Sequence, residues 1–258
     1  MTDADTPLLP TTPSALPVPP TPERPDRWDI LRFVLFFILS LVLSGLILVA
    51  LAAVTWQGAA PQRMDDLTVE QHSWLILGVT AMLYISVIAS VWLAMMRRGR
   101  NIARALAFNP VRWTTLALGA VGLIVLSIIV SVLGSQLMQD VQPRMNEMFQ
   151  GMTFSPPIIV MALFLIGVMA PIAEEMFFRG LLFGWLRAHW PFWLVAIVTA
   201  ALFGLAHGNL GYAVVAGALG LMLAYLRERS GSLWTSIVAH IANNVFAIGM
   251  AMLAPSLV

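Results

Sequence analysis

The sequence predicts an all-α protein, a polytopic membrane bundle of about seven transmembrane helices with its N-terminus cytoplasmic. Three observations carry this expectation. Hydrophobic residues fill 59% of the 258 positions and charged residues only 10%, whereas an ordinary soluble domain is about 25% charged. Apolar runs recur at roughly 30–56, 73–96, 113–135, 158–178, 191–207, 210–226 and 232–253, each near the length that crosses a hydrocarbon core about 30 Å thick. Arginines are unevenly shared between alternate connections: one side holds Arg24, Arg27, Arg32, Arg97, Arg98, Arg100, Arg104, Arg112, Arg179, Arg187, Arg227 and Arg229, the other only Arg63 and Arg144. Twelve against two puts the first side in the cytoplasm.

Residues 1–28 are a different kind of polymer, with prolines at 7, 10, 13, 17, 19, 20, 22 and 25 among Thr, Asp and Ala. Such a segment cannot bury enough apolar surface to order itself, so a disordered cytoplasmic tail is expected. No basic n-region leads into a short apolar stretch with a small-residue cleavage site, so the first apolar run reads as a retained span rather than a signal peptide. Residues 29–155 then form an N-terminal three-span region. In its last connection, 136–155, Val141, Met145, Met148, Phe149 and Met152 recur at helical spacing beside Asp140, Arg144, Glu147 and Gln150, the pattern of a helix lying flat at the interface. Residues 156–253 hold the remaining spans.

Composition also excludes chemistry. There are no cysteines, so disulfides, thiolate nucleophiles and Cys-type zinc sites are ruled out together. The net charge of +1 gives no sign of nucleic-acid binding; the arginines gather at helix ends, where they meet lipid headgroups. The bilayer is the expected partner.

The informative residues are the polar ones within the last spans. An ionisable group at membrane depth costs about 2.5–3.5 kcal/mol to insert, and by default it marks function. In Pro171-Ile172-Ala173-Glu174-Glu175-Met176-Phe177-Phe178-Arg179, Glu175 and Arg179 are four apart and share a helix face, where carboxylate and guanidinium can pair. Glu174 points about 100° away, which leaves it available as a general base. Pro171 removes a backbone hydrogen bond just before the pair, so a local kink is expected.

Phe203 and His207 share one face of the next span, with Gly204 and Ala206 small enough for a neighbouring helix to approach. His240 and Asn244 share a face of the last span, and both can donate hydrogen bonds toward one point, as an oxyanion requires. Alternatively, each of these is a packing residue: a hydrogen-bonded core histidine, or an interhelical Asn. Counted from the inner helix ends at 1.5 Å per residue, Glu174, His207 and His240 lie about 20, 24 and 12 Å deep, close enough to converge. The short fifth and sixth runs suggest a hairpin whose turn, Gly208-Asn209-Leu210-Gly211, is itself partly immersed.

The ordered set Glu174-Glu175-x-x-x-Arg179, Phe203-x-x-x-His207 and His240-x-x-x-Asn244 resembles the CPBP family, which groups CAAX prenyl endopeptidases of the Ras-converting type with bacteriocin-processing and immunity proteins. All three motifs stand without a substitution, and the resemblance covers about residues 156–250. It implies a CPBP-like catalytic membrane core over 156–253, an intramembrane endopeptidase of the glutamic type, and a bacterial inner-membrane location. It further implies that Glu174 and His207 activate water, that His240 and Asn244 hold the oxyanion, and that Glu175, Arg179 and Phe203 support them.

That reading needs no cofactor and takes a membrane protein or peptide as substrate; prenylation of the substrate and oligomeric state stay open. The family's older description as a metalloprotease supplies one alternative, zinc held by Glu174, His207 and His240. Against it, the sequence lacks a His-Glu-x-x-His segment. A non-proteolytic scaffold or immunity protein, or a proton-coupled transporter, is the other alternative, because buried Glu and His also build proton relays.

Overall fold

A computed structural model describes residues 24–55, 67–97, 100–137, 155–208 and 210–253, and every regular element among them is helical. In chain order these are α1 (Arg27–Thr55), α2 (Val69–Met95), the short α3 (Ile102–Ala105) and α4 (Trp113–Leu137). There follow a long α5 (Pro156–Arg187), then α6 (Phe192–Leu205), α7 (Leu210–Ser230) and α8 (Leu233–Leu253). Most of the tail, the Arg63 and Arg144 connections and nearly all of the expected interfacial helix lie outside the described residues.

Local chemistry sets the helix ends. Asp26 caps α1, its Oδ1 accepting from the Trp28 and Asp29 N–H groups at 2.8 and 3.1 Å. Arg27 and Trp28, assigned to the tail by composition, therefore already form the first turn. Thr68 and Gln71 form a reciprocal capping box on α2, satisfying two of the donors that a helix start leaves free. Gly208 and Gly231, at φ +71° and +64°, follow α6 and α7 in the left-handed conformation that favours glycine.

The outer face of α1 is apolar and bare: Leu35, Leu39, Val42 and Leu46 are all more than half exposed. Water would not tolerate so continuous an apolar face on a stable monomer, whereas lipid does. With several such helices the chain is a multi-pass membrane protein. Five helices among the described residues are long and apolar enough to cross: 27–51, 69–95, 113–134, 156–187 and 233–250. The fifth and sixth spans expected from the sequence are not among these five, although the helix of the sixth, α7, has 21 residues. α6 has 14 residues, about 21 Å of rise, so it falls short of a core about 30 Å thick.

α5 is the organising element. It lies between α2 and α8, and it alternates three α-helical segments with two π-helical ones, Leu163–Met169 and Met176–Leu182. Its 32 residues run well past position 178, where the apolar run was expected to end. This corrects one element of the charge count: Arg179 is not at the inner surface but fully buried in the bundle, because the helix continues for two more turns to Arg187. The other eleven inner arginines keep the bias.

Two apolar clusters fix α5. Phe33, Val91, Met95, Leu106, Met176, Leu181 and Ile237 join it to α1, α2, α3 and α8. Phe178, Leu182, Phe183, Val195, Ala196 and Phe203 join it to the α6–α7 hairpin. At the inner surface, Arg97 meets Asp26 at 2.7 Å and Arg100 meets the fully buried Asp29 at 2.9 Å, tying the start of α1 to the α2–α3 connection.

The hairpin depends on Gly204. A Cβ there would run into the Ala213 carbonyl and stand 3.2 Å from the Gly217 amide nitrogen, so the two backbones can meet only because position 204 has no side chain. Of the two small residues expected to allow this approach, Gly204 makes it; Ala206 is exposed. Gly204→Ala is expected to lower stability by about 1–3 kcal/mol through overpacking. Gly217→Ala, whose Cβ would meet its nearest atom at 3.6 Å, should melt close to wild type in the same detergent assay.

Candidate active site

The two adjacent glutamates have separate surroundings. Glu175 is fully buried, and its Oε1 accepts from Arg179 Nη1 at 2.9 Å and from His240 Nδ1 at 3.1 Å. The i, i+4 pairing expected from spacing is therefore formed, and the carboxylate also orients a histidine from another helix. Glu174 has no such bond. Its side chain is 23% exposed and its Oε2 lies 3.8 Å from His240 Nε2, so the two faces of the His240 ring are read by the two glutamates.

Arg179 is enclosed on every side. Its Nη2 donates to the Gly220 carbonyl at 3.0 Å, and its guanidinium carbon stands 4.5 Å from the Phe203 ring centroid, a cation–π contact. Gly220 has to be glycine for this, since a Cβ there would sit 3.1 Å from Nη2 and 3.2 Å from both Phe203 and the Ala200 Cα. Phe203 in turn makes edge contacts with His207 at 5.0 Å and His240 at 5.7 Å between centroids. One aromatic ring thus spaces the arginine from both histidines.

His207 closes α6. Its Nδ1 is 2.8 Å from the Phe203 carbonyl one turn back; a carbonyl only accepts, so Nδ1 carries the proton and Nε2 is left as an acceptor when the ring is neutral. The same logic applies to His240. With Nδ1–H donated to Glu175, Nε2 accepts in the neutral ring and donates only in the imidazolium.

Asn244 is held by the consequence of Pro171. In the first π-helical segment the Ala170 N–H reaches back to Leu165 O, and the next donor in that register would be residue 171, a proline without an N–H. Ile166 O is left without a helical partner, and Asn244 Nδ2 donates to it at 3.0 Å. The kink expected at Pro171 thus takes the form of a π-helical segment rather than a break. One of the two Nδ2 hydrogens has this packing role.

Glu174, His207 and His240 do come together: the Glu174 carboxylate is within electrostatic reach of both histidines. It is also within reach of Tyr84 on α2 and Tyr212 on α7, and the Tyr212 ring lies 5.0 Å from His207. Neither tyrosine was singled out from the sequence. The only available signal was that two of the chain's 3 tyrosines interrupt otherwise apolar spans. Among the described residues no three His, Asp or Glu side chains group as a metal site, although the Nδ1 bonds of His207 and His240 leave each Nε2 free.

Residues 156–246 match the model of a family described as Type II CAAX prenyl endopeptidase Rce1-like. That segment is similar to an Rce1-like domain. It spans α5 to most of α8 and contains every site residue named above except Tyr84. The "Putative membrane peptidase YdiL" of Bacillus subtilis is 31% identical over 85 residues, 33% of this chain and 35% of that protein. An "Uncharacterized 24.3 kDa protein" of Escherichia coli is 31% identical over 116 residues, 43% of this chain and 52% of that one. The chain therefore covers between about a third and a half of these relatives. No solved structure matches.

Arg179→Ala would strand Glu175 as a buried charge, at about 3–5 kcal/mol. Thermal melting in detergent should show the loss for Arg179→Ala and Glu175→Gln, and not for Glu174→Gln, whose carboxylate has no such partner.

Proposed function

We propose that the chain is an intramembrane endopeptidase that hydrolyses a peptide bond in a membrane-associated protein or peptide. The observation that carries this reading is the partition of Glu174 from Glu175: one carboxylate is consumed by Arg179 and His240, and the other is part-exposed between two histidines. A structural role needs only the first. A part-exposed carboxylate beside the acceptor nitrogen of His207 is what removal of a proton from water requires.

In this reading His207 Nε2 and Glu174 orient a water molecule, and Glu174 takes its proton as the oxygen attacks the substrate carbonyl. The carbonyl π pair moves to the oxygen. His240, which donates from Nε2 once that nitrogen carries a proton, and the second Nδ2 hydrogen of Asn244 donate to that oxyanion. Collapse breaks the C–N bond, and Glu174 returns its proton to the leaving amine. Tyr84 and Tyr212 stand within electrostatic reach of Glu174. Both relatives come from bacteria, so a bacterial cytoplasmic membrane is the setting we assign. Nothing in the site selects a prenylated C-terminus, and the CAAX label of the family is not carried over to this chain.

Purified Glu174→Ala and His207→Ala proteins should insert and melt normally while losing about 10²–10⁴-fold in rate against a membrane peptide substrate. Asn244→Ala should retain more, losing about 10²–10³-fold for one donor. Full cleavage by Glu174→Ala would overturn the proposal.

The same reading has Glu174, His207 and His240 act without a metal. Active protein dialysed against a chelator should keep its rate and hold less than about a tenth of an equivalent of zinc, since a catalytic metal is stoichiometric. One tightly held equivalent, with activity lost on its removal and restored on its return, would make those three residues ligands instead.

A further inference from the structure

At the inner surface, away from Glu174 and its neighbours, a half-open cavity of about 350 Å³ is lined by Arg24, Arg104, Arg187, Arg227 and Glu228. The arginines come from four places far apart in sequence: the residue before Pro25, the end of α3, the end of α5 and the last turn of α7. Their convergence is built. Pro25 is buried, and it packs so closely on Gly184 that a Cβ there would stand 3.1 Å from its Cγ, which fixes Arg24 at the rim. On the opposite wall the Asn109 side chain donates to Gly231 O at 2.8 Å, and Leu233 N–H donates to Ala107 O at 2.8 Å.

The charges do not balance. Among the described residues Glu228 is the single carboxylate of the lining, and Arg187 occupies it through Nε at 3.1 Å and Nη2 at 2.9 Å. Three guanidiniums remain. Arg227 senses Glu228, which Arg187 already holds, and after it Arg24, a like charge; its Nε is buried without a hydrogen-bond partner among the described residues. A solvated surface arginine needs no partner, but a buried N–H left unmatched is destabilising. Converging guanidiniums around a concavity are the arrangement that recognises phosphate, through paired charge-assisted hydrogen bonds.

We propose that this cavity binds a phosphate group, carried either by an anionic phospholipid headgroup or by a small soluble phosphate. Its position at the inner ends of α5 and α7 puts it at headgroup level, which gives the lipid direct access. The site is separate from the proposed hydrolytic centre, so its occupancy would stabilise the packing of α3, α5 and α7 whether or not the chain cleaves anything.

The test uses the full chain in detergent and reads the melting temperature and, by native mass spectrometry, the ligand retained. Phosphatidylglycerol, phosphatidylcholine, inorganic phosphate and pyrophosphate are added separately. Phosphatidylglycerol or one of the soluble phosphates is expected to raise the melting temperature while phosphatidylcholine does not. Which of them does so identifies the source. Arg104→Gln and Arg227→Gln should each weaken that ligand about tenfold, whereas Arg229→Gln, an exposed arginine on the same turn that does not line the cavity, should bind as wild type. Arg104 is exposed, so its substitution tests the site even if Arg227→Gln fails to fold. Equal binding by Arg104→Gln and wild type, equal losses in Arg104→Gln and Arg229→Gln, or no response to any phosphate arm would overturn the proposal.

Discussion

The buried pair of Arg179 and Glu175 is the constraint on which the rest of the site depends. Two charges taken out of water together are tolerated only when most of their remaining valences are met; here groups from three other helices meet them at Glu175 Oε1 and Arg179 Nη2, while Glu175 Oε2 and Arg179 Nε have no hydrogen-bond partner among the described residues. Gly220 O on α7 takes one guanidinium nitrogen, the Phe203 face on α6 covers the cation, and His240 on α8 takes the carboxylate oxygen that Arg179 also uses. Each of these partners is therefore fixed in space by the need to satisfy the pair. The same contacts place His240 between two glutamates and His207 one turn beyond Phe203. Structure and chemistry are coupled at one atom, Glu175 Oε1.

Irregular backbone performs the second task. The glutamates sit in a six-residue α-helical segment, Ala170–Glu175, bounded on both sides by π-helical turns. Such turns widen the helix and leave backbone groups for side chains to use, which is why they collect at functional positions. Pro171 and Asn244 illustrate the exchange: the missing N–H of one helix is replaced by the amide of another, and α8 is thereby pinned against α5 at the level of the site.

Much of this was legible in the sequence, because the relevant signals were local. Apolar run length located α1, α2, α4, α5 and α8, and the i, i+4 spacing of Glu175 with Arg179, Phe203 with His207, and His240 with Asn244 put each pair on one face. What spacing could not reveal was which groups meet across helices. Arg179 looked like an inner-surface charge because charge alone does not say that a helix continues to Arg187. The bond between His240 and Glu175 is a long-range contact between residues 65 positions apart, and no periodicity encodes it. Tyr84 and Tyr212 were invisible for the same reason. Composition assigned Arg27 and Trp28 to the tail, because a cap such as Asp26 acts through geometry rather than through hydrophobicity.

The claim at the centre of this account is that Glu175 holds His240 through a protonated Nδ1, leaving Nε2 facing Glu174. The chain has only 4 histidines, so ¹⁵N-histidine resonances of the purified protein can be assigned by comparing wild type with His207→Gln and His240→Gln. The account predicts a protonated Nδ1 on His240, its proton strongly deshielded by the Glu175 carboxylate, with His207 likewise protonated at Nδ1. A His240 ring that is unprotonated at Nδ1, or whose resonances do not respond to Glu175→Gln, would contradict it.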